Sequence, residues 1–449
     1  MKQEREEYLR ILRDLDGDWP GRDAARKYVR DSDCYLYGLP APFSFVPTFY
    51  TDKELAFFSE VCAKTHAVLS KVIAAYVEDE AYRKLFAFPA EAERLILLPC
   101  GYEEKLPMAR FDFFLADEAA ENRDFKFCEF NADGAAAMSR TKIGCEAVAL
   151  SETFRRFAEK HPVEEFEMFD SWVDAFLKTY RSDRNAVETP NILITDFSDS
   201  VTMSDVTRYL AAFEKRGLTA RFVDIRKLGY DERGLFDPED GLIFHAVYRR
   251  AVTSDVVRHL DLCRNLIDAA ADEKICLIGH FRTTVVHSKM INVALLHERT
   301  KELLTEEEWD FVRAHVLPAH RLRHDTPGLD LEEIRRTKDR WIIKPEDDYD
   351  SHGVYAGLDV TAAEWDDIVT KCVDRGFVVM EFYTPSRCQI ALPYRDETAA
   401  DPCGIEGYLS MTGIYSFNGE HHGFFSRMGK EAVISESHHG VSIPSFRML

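Results

Sequence analysis

Strand and helix patterns alternate from Pro190 to about residue 285, and this alternation constrains the fold more than any other feature of the sequence. The segment lacks a GxGxxG at its first turn, so the usual dinucleotide-binding fingerprint is absent. Strand–helix–strand order at this spacing predicts a parallel, doubly wound sheet whose crossover helices cover its faces. The predicted elements are strands at 191–197, 219–225, 241–248 and 275–281 and helices at 204–217 and about 254–270.

The residues before this segment predict a helical region followed by a strand pair. Residues 1–100 have mainly helical patterns, and Thr51 or Asp52 is a candidate cap for a long amphipathic run through Phe86. Two strand-like segments follow, at 109–116 and 125–131, and the polar link between them suits a hairpin. Helical patterns resume over about 138–182.

The residues after the alternating segment predict a helical stretch and then an antiparallel α+β domain. The whole chain is therefore expected to be mixed α/β, in three lobes: residues 1–185, 186–285 and 286–449. The helical stretch covers about 289–315, and the predicted strands are 340–345, 353–357, 377–383, 388–394, 407–417 and 422–429.

The charge balance excludes two classes of partner. The chain has 57 Lys and Arg against 79 Asp and Glu, a formal net charge of −22. A protein that binds duplex nucleic acid needs a basic surface to displace counterions, and an anionic membrane surface also attracts basic segments. We therefore expect neither nucleic acid nor membrane as a partner.

The termini and the cysteines point to the cytoplasm. Residues 1–30 contain no apolar stretch of signal-peptide length, and no later segment is long and apolar enough to span a membrane. None of the ten cysteines forms a CxxC pair, so neither a zinc ribbon nor a thioredoxin-type motif is indicated. We expect buried free thiols in a reducing cytoplasm.

The predicted strand pair carries the first candidate site. Side chains alternate faces along a strand, so Arg110 and Asp112 share one face of the first strand, and Glu129 and Asn131 share one face of the second. If the strands pair, a cation, two carboxylates and an amide converge. Mg²⁺ prefers oxygen ligands of this kind, and Arg110 could neutralise charge on a transferred phosphoryl group. The alternative is a solvated hairpin face whose charges pair only with one another.

Three later segments carry weaker signals. In WIIKPEDDYDSHG (341–353) a strand ends at Lys344 and a polar turn closes at Gly353, an arrangement that can hold phosphates but also fits a plain hairpin turn. VVMEFY (378–383) is an apolar strand broken by Glu381, which is a possible purine-binding edge or an ordinary core strand. The third segment contains Arg427, in GFFSRMG (423–429). The HHG triplets at 421–423 and 438–440 lack zinc-ligand spacing and predict exposed loop histidines.

The order of these motifs is more specific than any one of them. An R-x-D strand, an E-x-N strand, a doubly wound middle, the Ser-Lys helix start HSKMINVALL (287–296), a strand-KP-loop-G, a hinge Glu and a late Arg follow one another. This series resembles the synthetase domain of glutathionylspermidine synthetase and the related circularly permuted ATP-grasp proteins, over about residues 100–445. In that group the metal-binding strands precede the nucleotide-binding lysines, as they do here. The resemblance implies an ATP-grasp fold with a doubly wound preATP-grasp-like domain and a helical N-terminal region.

The resemblance also implies a role for each matching residue. Arg110 would stabilise an acyl phosphate, and ATP and Mg²⁺ would be the cofactors. The implied metal ligands are Asp112, Glu129 and Asn131. The implied nucleotide-binding residues are Lys289, Lys344, Gly353, Glu381, Phe382, Tyr383, Gln389 and Arg427.

The implied activity is an ATP-dependent carboxylate–amine ligase with a small or peptide-like acid and an amine as its substrates. Two departures from the family pattern stand out. The loop after KP is usually Gly-rich, whereas here Asp350, Ser351 and His352 precede Gly353, and Asn131 leads into ADGAAA rather than into a Thr-Pro-Thr-like turn. An ATP-binding protein without turnover and a phosphotransferase remain as alternatives.

Overall fold

Helices make up most of the first hundred residues, as the apolar spacing predicts, but three short strands that were not predicted also lie there. The computed structural model describes residues 2–116, 124–347, 352–395 and 400–449. Thr51 caps the long helix, and its backbone N–H donates to the Glu54 carboxylate at 2.8 Å. That helix ends at Glu78 rather than near Phe86, because Asp79 accepts from the N–H of Ala81 at 2.7 Å and begins a new helix. The elements are α1 (Lys2–Asp14), α2 (Trp19–Asp31), β1 (Tyr35–Leu36), β2 (Leu39–Pro40), β3 (Thr48–Tyr50), α3 (Asp52–Glu78), α4 (Glu80–Arg83) and α5 (Ala90–Ile96).

The predicted strand pair is confirmed as an antiparallel hairpin. Its apolar side, with Phe111, Phe113 and Phe127, packs against α3 in one continuous core. The pairing shifts by one residue after Asp112, which leaves a bulge at Cys128. The elements of this part are β4 (Met108–Leu115), β5 (Phe125–Asn131), α6 (Met138–Val148), α7 (Glu152–Ala158), β6 (Val163–Glu165) and α8 (Phe169–Arg181).

The middle of the chain forms the predicted parallel sheet. Its strand order is β12-β11-β7-β8. Two details of the prediction are wrong. The strand predicted to start at residue 241 begins at Ala246, because Ile243 instead bridges to Phe236 beside a small hairpin. The single helix predicted over 254–270 is two helices separated by a turn. The elements are β7 (Ile192–Asp196), α9 (Met203–Glu214), β8 (Ala220–Asp224), β9 (Gly229–Asp231), β10 (Gly234–Phe236), β11 (Ala246–Arg249), α10 (Thr253–Arg258), α11 (Arg264–Ala271) and β12 (Cys276–Ile278).

A run of short helices leads into a four-stranded sheet. The sheet has the order β13-β16-β14-β15 and pairs its strands antiparallel. Its apolar face packs on two helices around the fully buried Trp365. The elements are α12 (Thr284–His287), α13 (Met290–Leu295), α14 (Glu298–Lys301), α15 (Glu306–His315), β13 (Ala319–Arg321), α16 (Leu331–Arg336), β14 (Trp341–Pro345), β15 (Tyr355–Ala356), α17 (Ala362–Cys372) and β16 (Phe377–Glu381).

The last strands of the chain join sheets that begin near its start. The long strand β18 pairs with β4, so the hairpin becomes one side of a seven-stranded sheet of order β21-β20-β18-β4-β5, in which β17 and β19 also pair with β18. The final strand lies between β3 and β6. The elements are β17 (Arg387–Ala391), β18 (Ile405–Phe417), β19 (Glu420–Phe424), β20 (Ser426–Gly429), β21 (Val441–Ile443) and β22 (Ser445–Met448).

The cysteines and the membrane-spanning potential of the helices concern the chain as a whole. All ten cysteines are free and eight of them are buried, as predicted. No helix in the described part of the chain has the length and apolar character needed to cross a lipid bilayer.

Candidate active site

A cavity of about 630 Å³ lies where the sheets meet. The carboxyl ends of β7 and β11 form one wall, and parallel α/β sheets usually bind their ligands at such ends. The other walls come from the β4–β5 hairpin, from β14 and β16, and from β18 and β20. Its volume is within the usual range for small-molecule and cofactor sites.

A charged cluster is formed by the β4–β5 face together with β20. Asp112 is fully buried and accepts two hydrogen bonds from Arg110, at 2.7 and 2.9 Å. Its Oδ2 also accepts from Asn131 at 3.1 Å and from Arg427 at 2.6 Å. Cross-strand pairing places Arg110 opposite Asn131 and Asp112 opposite Glu129, as the side-chain alternation predicts. The four predicted residues therefore meet, and Arg427 joins them.

Glu129 is the carboxylate of this cluster that lines the cavity. Lys289 Nζ lies 4.0 Å from its Oε2, and Arg427 Nη2 lies 3.6 Å from its Oε1. Burial opposes ionisation of Glu129, but the nearby cations Lys289, Arg427 and Lys344 hold its pKa well below the ordinary value. Glu129 is therefore an anion at neutral pH.

The two lysines reach the cavity from different elements. Lys344 is buried in β14, and its Nζ donates to the Cys128 carbonyl at 3.2 Å, at the hairpin bulge. Lys289 is the N-cap residue that precedes α13, and its N–H donates to the carbonyl of Glu346, which lies two residues after Lys344, at 2.9 Å. The backbone thus brings both ammonium groups to one side of the cavity, where they can act as point charges for phosphates.

Gly413 makes room for the charged cluster. It lies opposite Asp112 in the β18–β4 pairing. A Cβ at this position would lie 2.5 Å from the Phe425 carbonyl oxygen, 2.6 Å from Asp112 Oδ1 and 3.2 Å from Arg110 Cδ. Sequence reasoning missed this residue, although a glycine inside a strand pattern is a known signal of close approach.

Apolar and aromatic side chains also line the cavity. Glu381, Phe382 and Tyr383, the residues predicted to receive the adenosine, are among its lining residues. The N–H of Phe382 donates to the Arg340 carbonyl at 2.7 Å, so that amide is already used within the protein. The apolar lining residues include Leu317, Ile342, Val354, Met380, Val433 and Ile434.

Two predicted nucleotide residues do not reach the cavity. Gln389 is exposed on β17, opposite Gly407, and is not among the lining residues. Gly353 also lies outside the lining, although its neighbour His352 is part of it. Asp350 and Ser351 lie outside the described residues.

The donor set fits Mg²⁺ in part. Glu129 and Asn131 offer a carboxylate and an amide oxygen to the cavity, and a magnesium ion on a nucleotide takes its remaining ligands from phosphate and water. The buried Asp112 carboxylate already accepts four hydrogen bonds, so it could ligate an ion only if Arg427 moved away. No group of three or more His, Cys, Asp or Glu within the described ranges is arranged to hold a metal ion.

The first HHG triplet differs from the prediction of exposed loop histidines. His421 and His422 lie on β19 and are half-buried. Burial lowers the pKa of His421 to about 3, and its Nε2 is enclosed near the rings of Phe58 and Phe424. This triplet therefore belongs to the packing of α3 against the sheet.

Sequence reasoning also missed two buried cavity residues, Arg250 and His287. Arg250 directly follows β11 and belongs to no motif, whereas His287 ends α12 and is the first residue of HSKMINVALL but was given no role. For Arg250 a signal existed, because it stands at the carboxyl end of a predicted parallel strand.

One solved structure shares this architecture along nearly the whole chain. A glutathione synthetase-like effector from Globodera pallida, solved in its apo form, has 12% identity and a TM-score of 0.57, and the match covers 95% of this chain and 96% of that one. The fold is of the glutathione synthetase-like ATP-grasp type. This agrees with the fold class predicted from the motif order.

Two other solved structures are similar at a lower level. A protein assigned as a gamma-glutamylcysteine synthetase from Methylobacillus flagellatus KT has 11% identity and a TM-score of 0.37, with 86% of this chain and 85% of that one covered. The D-cycloserine synthetase has 16% identity and a TM-score of 0.26, with 57% and 74% covered. No protein-family model and no curated protein sequence matches the chain.

Proposed function

We propose that this chain is an ATP-dependent, ADP-forming carboxylate–amine ligase of the circularly permuted ATP-grasp type, similar to glutathionylspermidine synthetase. The observation that carries the proposal is one cavity lined both by apolar and aromatic side chains, such as Phe382, and by the cations Lys289, Lys344 and Arg427. An adenine ring fits the first environment and a polyphosphate fits the second. The fold type supports the same assignment.

The reaction proceeds in two steps. A carboxylate oxygen of the acid attacks the γ-phosphorus of ATP, the bond to the β-phosphate oxygen breaks, and an acyl phosphate and ADP result. The amine nitrogen then attacks the acyl carbon, phosphate leaves, and the nitrogen loses a proton to solvent. The first step is required because a free carboxylate is a poor electrophile.

The residues of the charged cluster and the two lysines have different roles in this reaction. Arg110 stacks 5.0 Å from the Phe425 ring and is held by Asp112, which positions it to stabilise the negative charge of the acyl phosphate. Lys289, Lys344 and Arg427 bind the phosphates. Glu129 and Asn131 would hold Mg²⁺, which would neutralise phosphate charge. Asp112 keeps both arginines in place.

ADP release tests the proposal. The purified protein is incubated with Mg-ATP and with pools of acids and amines, and ADP is measured together with the coupled product. ADP that depends on both pools supports the ligase. ATP-dependent thermal stabilisation without ADP from any pool would indicate a binding protein, and a phosphorylated product that survives added amine would indicate a phosphotransferase. Either of these results would contradict the ligase.

A further inference from the structure

The β1–β2 hairpin of the N-terminal region forms part of the cavity wall. Its lining residues are Tyr35, Leu36, Tyr37 and Gly38. The hairpin precedes residues 100–445, over which the sequence resembles the ATP-grasp ligases, so that resemblance assigns it no role. What the hairpin contributes to the cavity therefore follows from its own structure.

The tip of the hairpin is exposed and apolar. Tyr37 is 63% exposed and Leu39 is 68% exposed, and Tyr28 and Tyr35 add two more exposed rings within twelve residues of chain. A Cβ built on Gly38 would have no atom within 4 Å, so the space around the turn is open. Exposed apolar side chains that cluster in this way mark a surface that becomes covered by a ligand or by another surface.

Tyr37 occupies a backbone conformation that is unusual for a bulky residue. The turn has positive φ at Tyr37 (50°) and at Gly38 (77°), which is the pattern of a tight type I′ turn. Asparagine, aspartate and glycine adopt the first of these positions more easily than tyrosine does. Residues held in such conformations cluster at ligand clamps and switch regions, so the ring of Tyr37 is a candidate for a contact with a ligand.

The pairing of the hairpin is short. Two residue pairs join its strands, Tyr35 with Pro40 and Leu36 with Leu39, and no third strand in the described part of the chain pairs with either strand. A two-stranded hairpin of this kind has marginal stability. Lids and ligand-binding loops are built from segments of low local stability, because they must move.

The base of the hairpin, in contrast, is fixed. Cys34 and Ala41 are buried, and the N–H of Ala41 donates to the Cys34 carbonyl at 3.0 Å. Asp33, just before the first strand, pairs with Arg208 on α9 at 3.0 Å. A fixed base and an exposed tip at the edge of a cavity are the two parts of a hinged flap.

We propose that the β1–β2 hairpin is a flap that pivots about its base at Cys34 and Ala41 and closes over the cavity when a nucleotide is bound. Tyr37 is the residue that covers the ligand, and the closed flap slows release of the nucleotide. The exposed tip described above is the open position. This inference rests on the proposed function, because it takes a nucleotide as the occupant of the cavity.

Hydrogen–deuterium exchange of the full chain tests the closure. Exchange is measured with and without Mg²⁺ and the ATP analogue AMP-PNP, whose binding is checked by calorimetric titration. The amides of residues 35–40 are expected to exchange at least fivefold more slowly when the analogue is bound. The matched control is the β9–β10 hairpin, which is also two-stranded but is not among the elements that line the cavity, and its exchange should change less than twofold.

The variant Tyr37→Asn tests the role of the ring. Asparagine suits the type I′ turn, so the hairpin keeps its shape while the ring is lost. Dissociation of the fluorescent nucleotide mant-ADP in the presence of Mg²⁺, followed by stopped flow, should become at least threefold faster, with an unchanged melting temperature of the free protein. Leu150→Asn removes another exposed side chain, at a turn after α6, and should change neither quantity.

The outcomes separate the flap from the ligase. Bound AMP-PNP without slower exchange of residues 35–40, or a wild-type dissociation rate in Tyr37→Asn, would overturn the flap and leave the ligase in place. Slower exchange together with no ADP release from any pool of acids and amines would support the flap and refute only the ligase. No binding of AMP-PNP by calorimetry would overturn both.

Discussion

Arg427 Nη2 lies 2.6 Å from Asp112 Oδ2, although the two residues are 315 positions apart in the chain. The same carboxylate holds Arg110 through two hydrogen bonds. One buried acid therefore orients two arginines from two strands towards the cavity. Because Asp112 keeps Arg427 and Asn131 when Arg110 is removed, the role of Arg110 can be tested without leaving a buried charge unpaired.

Arg110→Ala should abolish turnover and spare nucleotide binding. We expect ADP formation to fall about 10²-fold or more, as when a group that stabilises developing charge is lost, and ATP affinity to stay within about tenfold. ADP release and calorimetric titration with ATP measure the two quantities. Arg110→Lys keeps the charge but loses the two-donor fork, so its turnover should lie between that of the wild type and that of Arg110→Ala. Normal turnover in Arg110→Ala would show that the cluster is not the reaction site.

Lys344→Met should weaken nucleotide binding itself. The substitution keeps most of the side-chain volume but removes the ammonium group beside the Cys128 carbonyl. We expect the Kd for ATP to rise at least tenfold, or about 1.4 kcal/mol, by calorimetric titration. The control is Lys371→Met, on the exposed face of α17, which should bind ATP like the wild type. Equal affinities in the two variants would remove Lys344 from the phosphate site.

Gly413→Ala should disturb the charged cluster from the neighbouring strand. Its new methyl group would press on Asp112 Oδ1 and on the Phe425 carbonyl, and overpacking of this kind costs about 1–3 kcal/mol. Urea unfolding measures the free energy, and ADP release should fall with it. Gly407→Ala is the matched control, because that glycine is on the same strand, is exposed, and has nothing within 4 Å of its added Cβ. If both variants are equally stable, the close packing at Gly413 is not restrictive.

His280 should make the free energy of unfolding depend on pH between about 6.5 and 4. Its Nδ1 accepts from the Arg282 N–H at 3.1 Å and its Nε2 lies 3.2 Å from the Pro99 carbonyl, so the neutral ring satisfies both contacts. Burial lowers the pKa of His280 to about 4. As the pH falls below 6.5, His280 takes up a proton in the unfolded chain but stays neutral in the folded protein. The free energy of unfolding therefore decreases by up to about 1.4 kcal/mol per pH unit because of this group.

The variant His280→Asn isolates this contribution. Asparagine can still accept the Arg282 N–H at the start of the turn, but it does not titrate. Urea unfolding at pH 7, 6 and 5 should therefore show a shallower loss of stability in the variant than in the wild type. Identical slopes would mean that His280 is protonated in the folded protein at these pH values.

Local patterns predicted the elements well because their causes are local. The hairpin of Arg110, Asp112, Glu129 and Asn131 follows from side-chain alternation, and the parallel sheet follows from the spacing of strands and helices. The early end of α3 is also local, but Asp79 can serve either as part of a helix or as its cap, so the pattern alone does not choose.

Long-range pairing was beyond the sequence patterns. Nothing in the residues of β18 indicates that Gly413 faces Asp112, since that register depends on how two sheets assemble. Arg250 and His287 were missed for a related reason: polar residues at these positions resemble ordinary strand or helix ends. Only the assembled cavity shows that they are buried beside the charged cluster.

The pairing of β18 with β4 has a consequence for how the chain folds. Residues 108–115 pair with residues 405–417, which are synthesised much later. The β4 edge of the hairpin therefore has no β18 partner while the intervening chain is being made. Contacts this distant in sequence slow folding, and an open strand edge is a template for pairing with other chains. The strand that carries Arg110 and Asp112 is therefore also a segment exposed to misassembly during synthesis.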